Sequence, residues 1–144
     1  MKIKILQPQF VLHVPDKLSE GVLYISEEFS TAGHLCCCGC GAEIFTPLNQ
    51  AQWRLIKHDR DDTVSLYPSI GNWKYSCNSH YWIDKNVVKD AGPMSDRIIR
   101  NVIKRDRRDK DRYIKKHNQE VRNHEDNLGY MSKLVRWFLD KWQR

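Results

Sequence analysis

Four of the five cysteines fall in five consecutive positions, in the stretch His34-Leu35-Cys36-Cys37-Cys38-Gly39-Cys40-Gly41. The fifth, Cys77, lies far downstream and is followed by Ser79 and His80. Thiolates this dense, with glycines between them, suit a soft metal held in a tight turn. Zinc takes four Cys or His ligands in a near-tetrahedral array. Cys36-x-Cys38, Cys38-x-Cys40 and Cys37-x-x-Cys40 are all available as ligand pairs in the turn. Cys77 has to supply the second half, with His80 as a further candidate at Cys-x-x-His spacing and His34 close by. An odd number of cysteines speaks against a disulfide framework and for metal or thiol chemistry.

Hydrolytic chemistry has two routes from these residues. An open zinc position can activate water, or a serine polarised by a histidine can transfer an acyl group. If Cys36 and Cys77 meet at one metal on adjacent strands, His34 and Ser79 flank it on a shared face, because side chains repeat every second residue. Adjacent positions on a strand face opposite ways, so Ser79 and His80 are not a ready-made dyad. Ser65, Ser69 and Asn72 can complete a site or serve as turn residues. His13, His58, His117 and His124 show no partner pattern and read as surface residues. A site closed by four protein ligands would instead only hold the fold together, since metal binding in a small domain is folding free energy.

The elements that must position these groups are short. Alternation predicts strands at Met1–Leu6, with Ile3 and Ile5 on one face, and at Phe10–Val14, Gly21–Ile25 and Trp53–Ile56. A helical turn is expected near Gln50–Trp53. Thr63–Tyr67 returns as a strand, Pro68–Asn72 reads as a polar loop, and Trp73–Cys77 as another strand. His80–Ile83 and Asn86–Val88 form a final hairpin around Asp84-Lys85. Ala91-Gly92-Pro93 marks a boundary, after which the period becomes helical. Ser95 is placed to cap a helix in which Ile98, Ile99, Val102 and Ile103 share one face. Asn123–Gly129 breaks that helix. Met131, Leu134, Val135, Phe138 and Trp142 stripe a last one, a surface for self-association. The expected fold class is α+β: a small antiparallel β domain built around a Cys-rich zinc site (residues 1–92), with a basic helical extension (residues 93–144).

Charge supports that division. Residues 1–94 carry nine Lys/Arg against ten Asp/Glu, and residues 95–144 carry fifteen against eight. The extension interleaves acids with its bases and has its aromatics mainly in the last helix, which disfavours a nucleic-acid groove. No apolar run approaches the ~20 residues of a membrane span. The start lacks the apolar centre and cleavage site of a signal peptide, so a cytoplasmic location is expected.

The strings Gly21–Ser26, His34–Gly41, Thr46-Pro47-Leu48, Val64–Trp73 and Cys77–Ile83 together resemble a family of small bacterial Cys/His-rich proteins. These are encoded with a ubiquitin-like modifier, often in tandem copies, and with its activating and conjugating enzymes. Gene neighbourhood, rather than any assigned activity, ties them to the pathway. The resemblance covers residues 21–88. Its pattern emphasises His34, Cys36, Cys38, Cys40, Cys77, Ser79 and His80, with Ser69 and Asn72 in the middle motif, and lets position 37 vary. The usual Trp-Ala after the hairpin is replaced here by Val88-Lys89-Asp90-Ala91. The resemblance implies a peptidase-like hydrolase, serine- or zinc-dependent, that processes or removes the modifier. Cys36, Cys38, Cys40 and Cys77 are then the zinc ligands, and Ser79, His80 and His34 the catalytic candidates. Its partners would be the modifier and its activating and conjugating enzymes. The rival readings are a non-catalytic zinc adaptor for the same partners and a nucleic-acid-binding tail.

Overall fold

A computed structural model describes residues 1–49 and 51–142, with side chains through His124 and at Met131. Eight strands form two four-stranded sheets, and one helix follows, an α+β architecture. The first sheet holds β1 (Gln7–Phe10), β2 (Val22–Ser26), β3 (Thr31–Leu35) and β4 (Glu43–Pro47) in that spatial order. β1 runs parallel to β2, and the other pairs are antiparallel. The second sheet is a meander of β5 (Arg54–His58), β6 (Thr63–Gly71), β7 (His80–Asp84) and β8 (Val87–Asp90). By internal packing the chain divides into Met1–Asp106 and Arg107–Arg144.

Leu6, from the segment before β1, and Leu23, Ile25, Leu66, Tyr81 and Ile83, drawn from both sheets, are fully or almost fully buried. Each large apolar side chain of this kind stabilises the fold by about 1.5–3 kcal/mol relative to exposure. Tyr24, Leu23, Ile25 and Ser26 are all buried, so β2 is covered on both faces. That accounts for its unbroken apolar run in the sequence.

Four expectations are corrected. Met1–Leu6 is not a strand of either sheet. It is stitched to both halves of the core by Ile3 N–H to Cys37 O, Leu6 N–H to Asn86 O and Val88 N–H to Lys4 O. Ile3 and Leu6 therefore point inward, while Ile5 is exposed. The second expected strand shifts from Phe10–Val14 to Gln7–Phe10, where pairing with β2 is available. Pro68–Asn72 is not a loop, because β6 continues to Gly71 by taking up Pro68 in a register shift between Leu66 and Ile70. A proline without an N–H is accommodated at such an irregularity. Trp73–Cys77 is not a strand. Tyr75 N–H bonds Asn72 O and Asn78 N–H bonds Tyr75 O, two tight turns in succession.

The helix α1 spans Asp96–Trp142, and Ile99 N–H closes onto Ser95 O at its start. The expected break at Asn123–Gly129 does not occur, since a single helical glycine costs only about 1 kcal/mol. The stripe expected from Leu134 to Trp142 lies among side chains outside the described residues, and Met131 is exposed. Among the described residues no helix is long and apolar enough to cross a membrane.

Candidate active site and metal centre

The turn after β3 reverses on two glycines with positive φ, Gly39 at 87° and Gly41 at 80°. Gly39 N–H bonds Cys36 O, and Cys36 N–H bonds Ala42 O, which closes the turn into β4. A side chain at Gly39 would also collide with the stem of Lys2. The double turn after Asn72 returns Cys77 to this loop. Together they gather Cys36, Cys38, Cys40 and Cys77, whose sulfur atoms all lie within 4.8 Å of one another. Four thiolates around one zinc at about 2.3 Å would sit about 3.8 Å apart, so this donor set fits a closed tetrahedral ion.

Cys37 is excluded from the cluster and fully buried in the core. Burial pushes its thiol up to about 12, which keeps it neutral. The same cause, aided by Cys36 and Cys40, holds Cys38 near 12 in the absence of an ion. Burial also works to raise Cys77, but hydrogen bonds from the backbone and hydroxyl of Ser79, then from Cys40 and Cys38, outweigh it and bring the thiol down to about 7.

Ser79 faces this cluster rather than a histidine. Its Oγ lies 3.0 Å from Cys36 Sγ and 3.6 Å from Cys77 Sγ, and it accepts a hydrogen bond from Asn72 Nδ2 at 2.8 Å. Asn72 Nδ2 also reaches Cys36 Sγ at 3.3 Å and Tyr81 Oη at 3.4 Å. His34 stands at the far end of this buried network, its Nε2 2.9 Å from Tyr81 Oη. Burial lowers His34 to about 4, so it is a neutral imidazole at physiological pH. His34 and Ser79 are thus joined only through Tyr81 and Asn72. Asn72 and Ser79 are the outer hydrogen-bond donors that orient a ligating thiolate.

His80 points the other way. In the β6–β7 register it pairs with Gly71, so its side chain stands on the face that also carries Ser69, two residues before Gly71. His80 Nε2 lies 3.0 Å from Ser69 Oγ. Gly71 has no side chain between them, and its place is taken by the indole of Trp73, with which a Cβ at position 71 would collide. The Trp73 ring lies 5.1 Å from the His80 ring and the Trp82 ring 6.1 Å away on the same strand. Among the described residues nothing bonds His80 Nδ1. Ser69 is half-buried, whereas Ser79 is 5% exposed, so the serine that meets a histidine is also the more open of the two.

A second Ser–His contact, which sequence reasoning missed, lies at the other end of β6. His58 Nε2 is 2.9 Å from Ser65 Oγ, which also contacts Asp84 Oδ1 at 3.2 Å and accepts the Lys85 N–H at 2.9 Å. Here the serine, not the histidine, is the middle member, so no carboxylate orients the imidazole. The cluster ties the β7–β8 turn to β6. A cleft of about 550 Å³ is lined by Cys38, Cys77, Ser79 and His80, with Met1 and Asp90 at its rim.

Fold and site define a two-sheet β domain with a four-cysteine cluster that could hold a metal ion, and with a serine–histidine contact between β6 and β7. The chain belongs to the bacterial ubiquitination-like system serine protease (BubE) family, whose model matches residues 10–91. That span runs from the end of β1 to just past β8 and stops before α1. No curated protein and no solved structure matches the chain.

Proposed function

We propose that the protein is a serine protease that processes or removes the ubiquitin-like modifier of a bacterial conjugation system, with Ser69 as nucleophile and His80 as its base. The observation that carries this reading is the 3.0 Å contact between His80 Nε2 on β7 and the half-buried Ser69 Oγ on β6. As Ser69 Oγ attacks a substrate carbonyl carbon, His80 Nε2 takes its proton and then returns it to the leaving amine. Water hydrolyses the acyl-enzyme by the same two steps. With nothing on Nδ1 among the described residues, the pair works as a dyad, its imidazole walled by Trp73 and Trp82.

Zinc, held by Cys36, Cys38, Cys40 and Cys77, is the metal the donor set favours. Four protein ligands leave no open position, so its contribution is to fix the turn that carries Cys77 and, through it, β7. Ser79 and His34 then position the centre through the network of Asn72 and Tyr81.

Incubation of the purified protein with its tandem modifier tests this. Cleavage at the junction is expected, together with fluorophosphonate labelling that maps to Ser69. Both should be lost in Ser69→Ala and His80→Ala at unchanged thermal stability. Labelling at Ser79, or a stoichiometric complex with the modifier and no turnover, would overturn the assignment; the latter would mark an adaptor.

A further inference from the structure

The strand β4 is the outer edge of the first sheet, and its free side opens onto a cleft of about 400 Å³. The pattern of its hydrogen bonds follows from one contact. Cys36 N–H bonds Ala42 O, so in this antiparallel pair residues 42, 44 and 46 bond to β3, and Glu43 and Phe45 turn their backbone groups to the open side. Tyr75, across the cleft, confirms that direction: its hydroxyl donates to Glu43 O at 3.1 Å. Among the described residues the Glu43 N–H, the Phe45 N–H and the Phe45 C=O have no partner. Unpaired groups two residues apart match the repeat of an extended chain.

Native edge strands are usually blunted by charge, proline or a covering element. β4 has a charge only at its start, Glu43, and proline only at its end, with Phe45, 51% exposed, at its centre. The opposite wall of the cleft is the Ile70–Tyr75 segment, with Trp53 and Ile103 also lining it. Trp53 Nε1 is buried there without an acceptor among the described residues. Trp73 belongs both to this cleft and to the wall of His80.

We infer that β4 is the strand on which an extended segment of the polypeptide substrate docks, pairing with the backbone of Glu43 and Phe45 as an added strand. An apolar side chain of that segment enters the cleft against Trp53 and Trp73. Past Tyr75 the bound chain is led along Trp73 toward Ser69 and His80. Recognition of this kind takes its affinity from main-chain hydrogen bonds and its selectivity from alternate side chains. This inference rests on the protease reading for its substrate, but the slot itself is tested separately.

The test uses the Ser69→Ala chain and a capped peptide of alternating Val and Thr at millimolar concentration, followed by amide NMR. Shift changes and slowed exchange should centre on Glu43 and Phe45. They should vanish when the peptide is N-methylated on alternate residues. In the active chain, Phe45→Pro removes one free donor without touching the β3 ladder, and should raise KM about tenfold while kcat is kept. The N-methylated arm needs no change in β4 and stands even if Phe45→Pro unfolds. Perturbation at β5, β1 or β8, no perturbation at all, or concentration-dependent change at β4 without peptide (a second copy) would overturn the inference. If Ser69→Ala still cleaves, the protease assignment fails, and the amide map alone decides the slot.

Discussion

Replacing Gly71 by alanine has a sign that depends on one aromatic ring. Gly71 lies at the end of β6 with no positive φ, so its backbone accepts an alanine without strain. On an unobstructed strand the change would stabilise the protein by about 0.4–1 kcal/mol, because the unfolded chain loses freedom. Here the new methyl would lie inside the indole of Trp73, against Cε2, Nε1 and Cζ2. The ring has to move, and overpacking of this type costs about 1–3 kcal/mol. The net expectation is a destabilisation of up to about 2.5 kcal/mol. Trp73 would also leave its place 5.1 Å from His80, with a change in near-UV dichroism and a fall in kcat. Urea denaturation of a double-mutant cycle isolates the cause. In a Trp73→Ala background the obstruction is gone, so Gly71→Ala should become stabilising. If Gly71→Ala destabilises equally with and without Trp73, the ring is not what excludes a side chain at position 71, and the argument that it walls His80 fails with it.

Two further perturbations separate the metal centre from the core. Cys40→Ser and Cys77→Ser should lose bound metal, whereas Cys37→Ala should retain one ion per chain because Cys37 lies outside the cluster; elemental analysis of purified variants checks this, and metal loss from Cys37→Ala would refute the ligand set. Asn86 holds a left-handed backbone at φ 66°, and its Oδ1 accepts the buried Val64 N–H at 2.8 Å. Asn86→Ala leaves that N–H unpaired, at about 1–3 kcal/mol, and adds about 1 kcal/mol of strain, whereas Asn86→Asp keeps the acceptor and should cost less than half as much in a urea titration.

The clustering of Cys36, Cys38, Cys40 and Cys77 was legible in the sequence because soft ligands at this density have few other uses, and the family pattern that lets position 37 vary already set Cys37 apart from them. The serine that meets His80 was harder to read. Pro68, Gly71 and Asn72 carry turn chemistry, and a turn there hides the fact that Ser69 and Gly71 share a strand face. Once β6 is seen to run through to Gly71, past the register shift between Leu66 and Ile70, the pairing Gly71–His80 and the 3.0 Å contact put Ser69 beside the imidazole. The apolar Trp73-Lys74-Tyr75 failed as a strand for the opposite reason: its aromatics serve as walls, one for His80 and one against the Glu43 carbonyl.

Asn72 is where these two misreadings meet. Its backbone N–H bonds Ser79 O and so fixes the ends of β6 and β7, while its side chain donates to Ser79, Cys36 and Tyr81. The residue after Gly71 therefore faces the cysteine cluster, and Ser69, three residues earlier, faces His80. Alternation explains how one short motif serves both: the β6–β7 register brings His80 to Ser69, while Asn72, one residue past Gly71, meets Cys36. On the proposed reading, a zinc closed by these four cysteines would contribute to catalysis without touching substrate, since losing it would free the turn that carries Cys77 into β7 and its base His80.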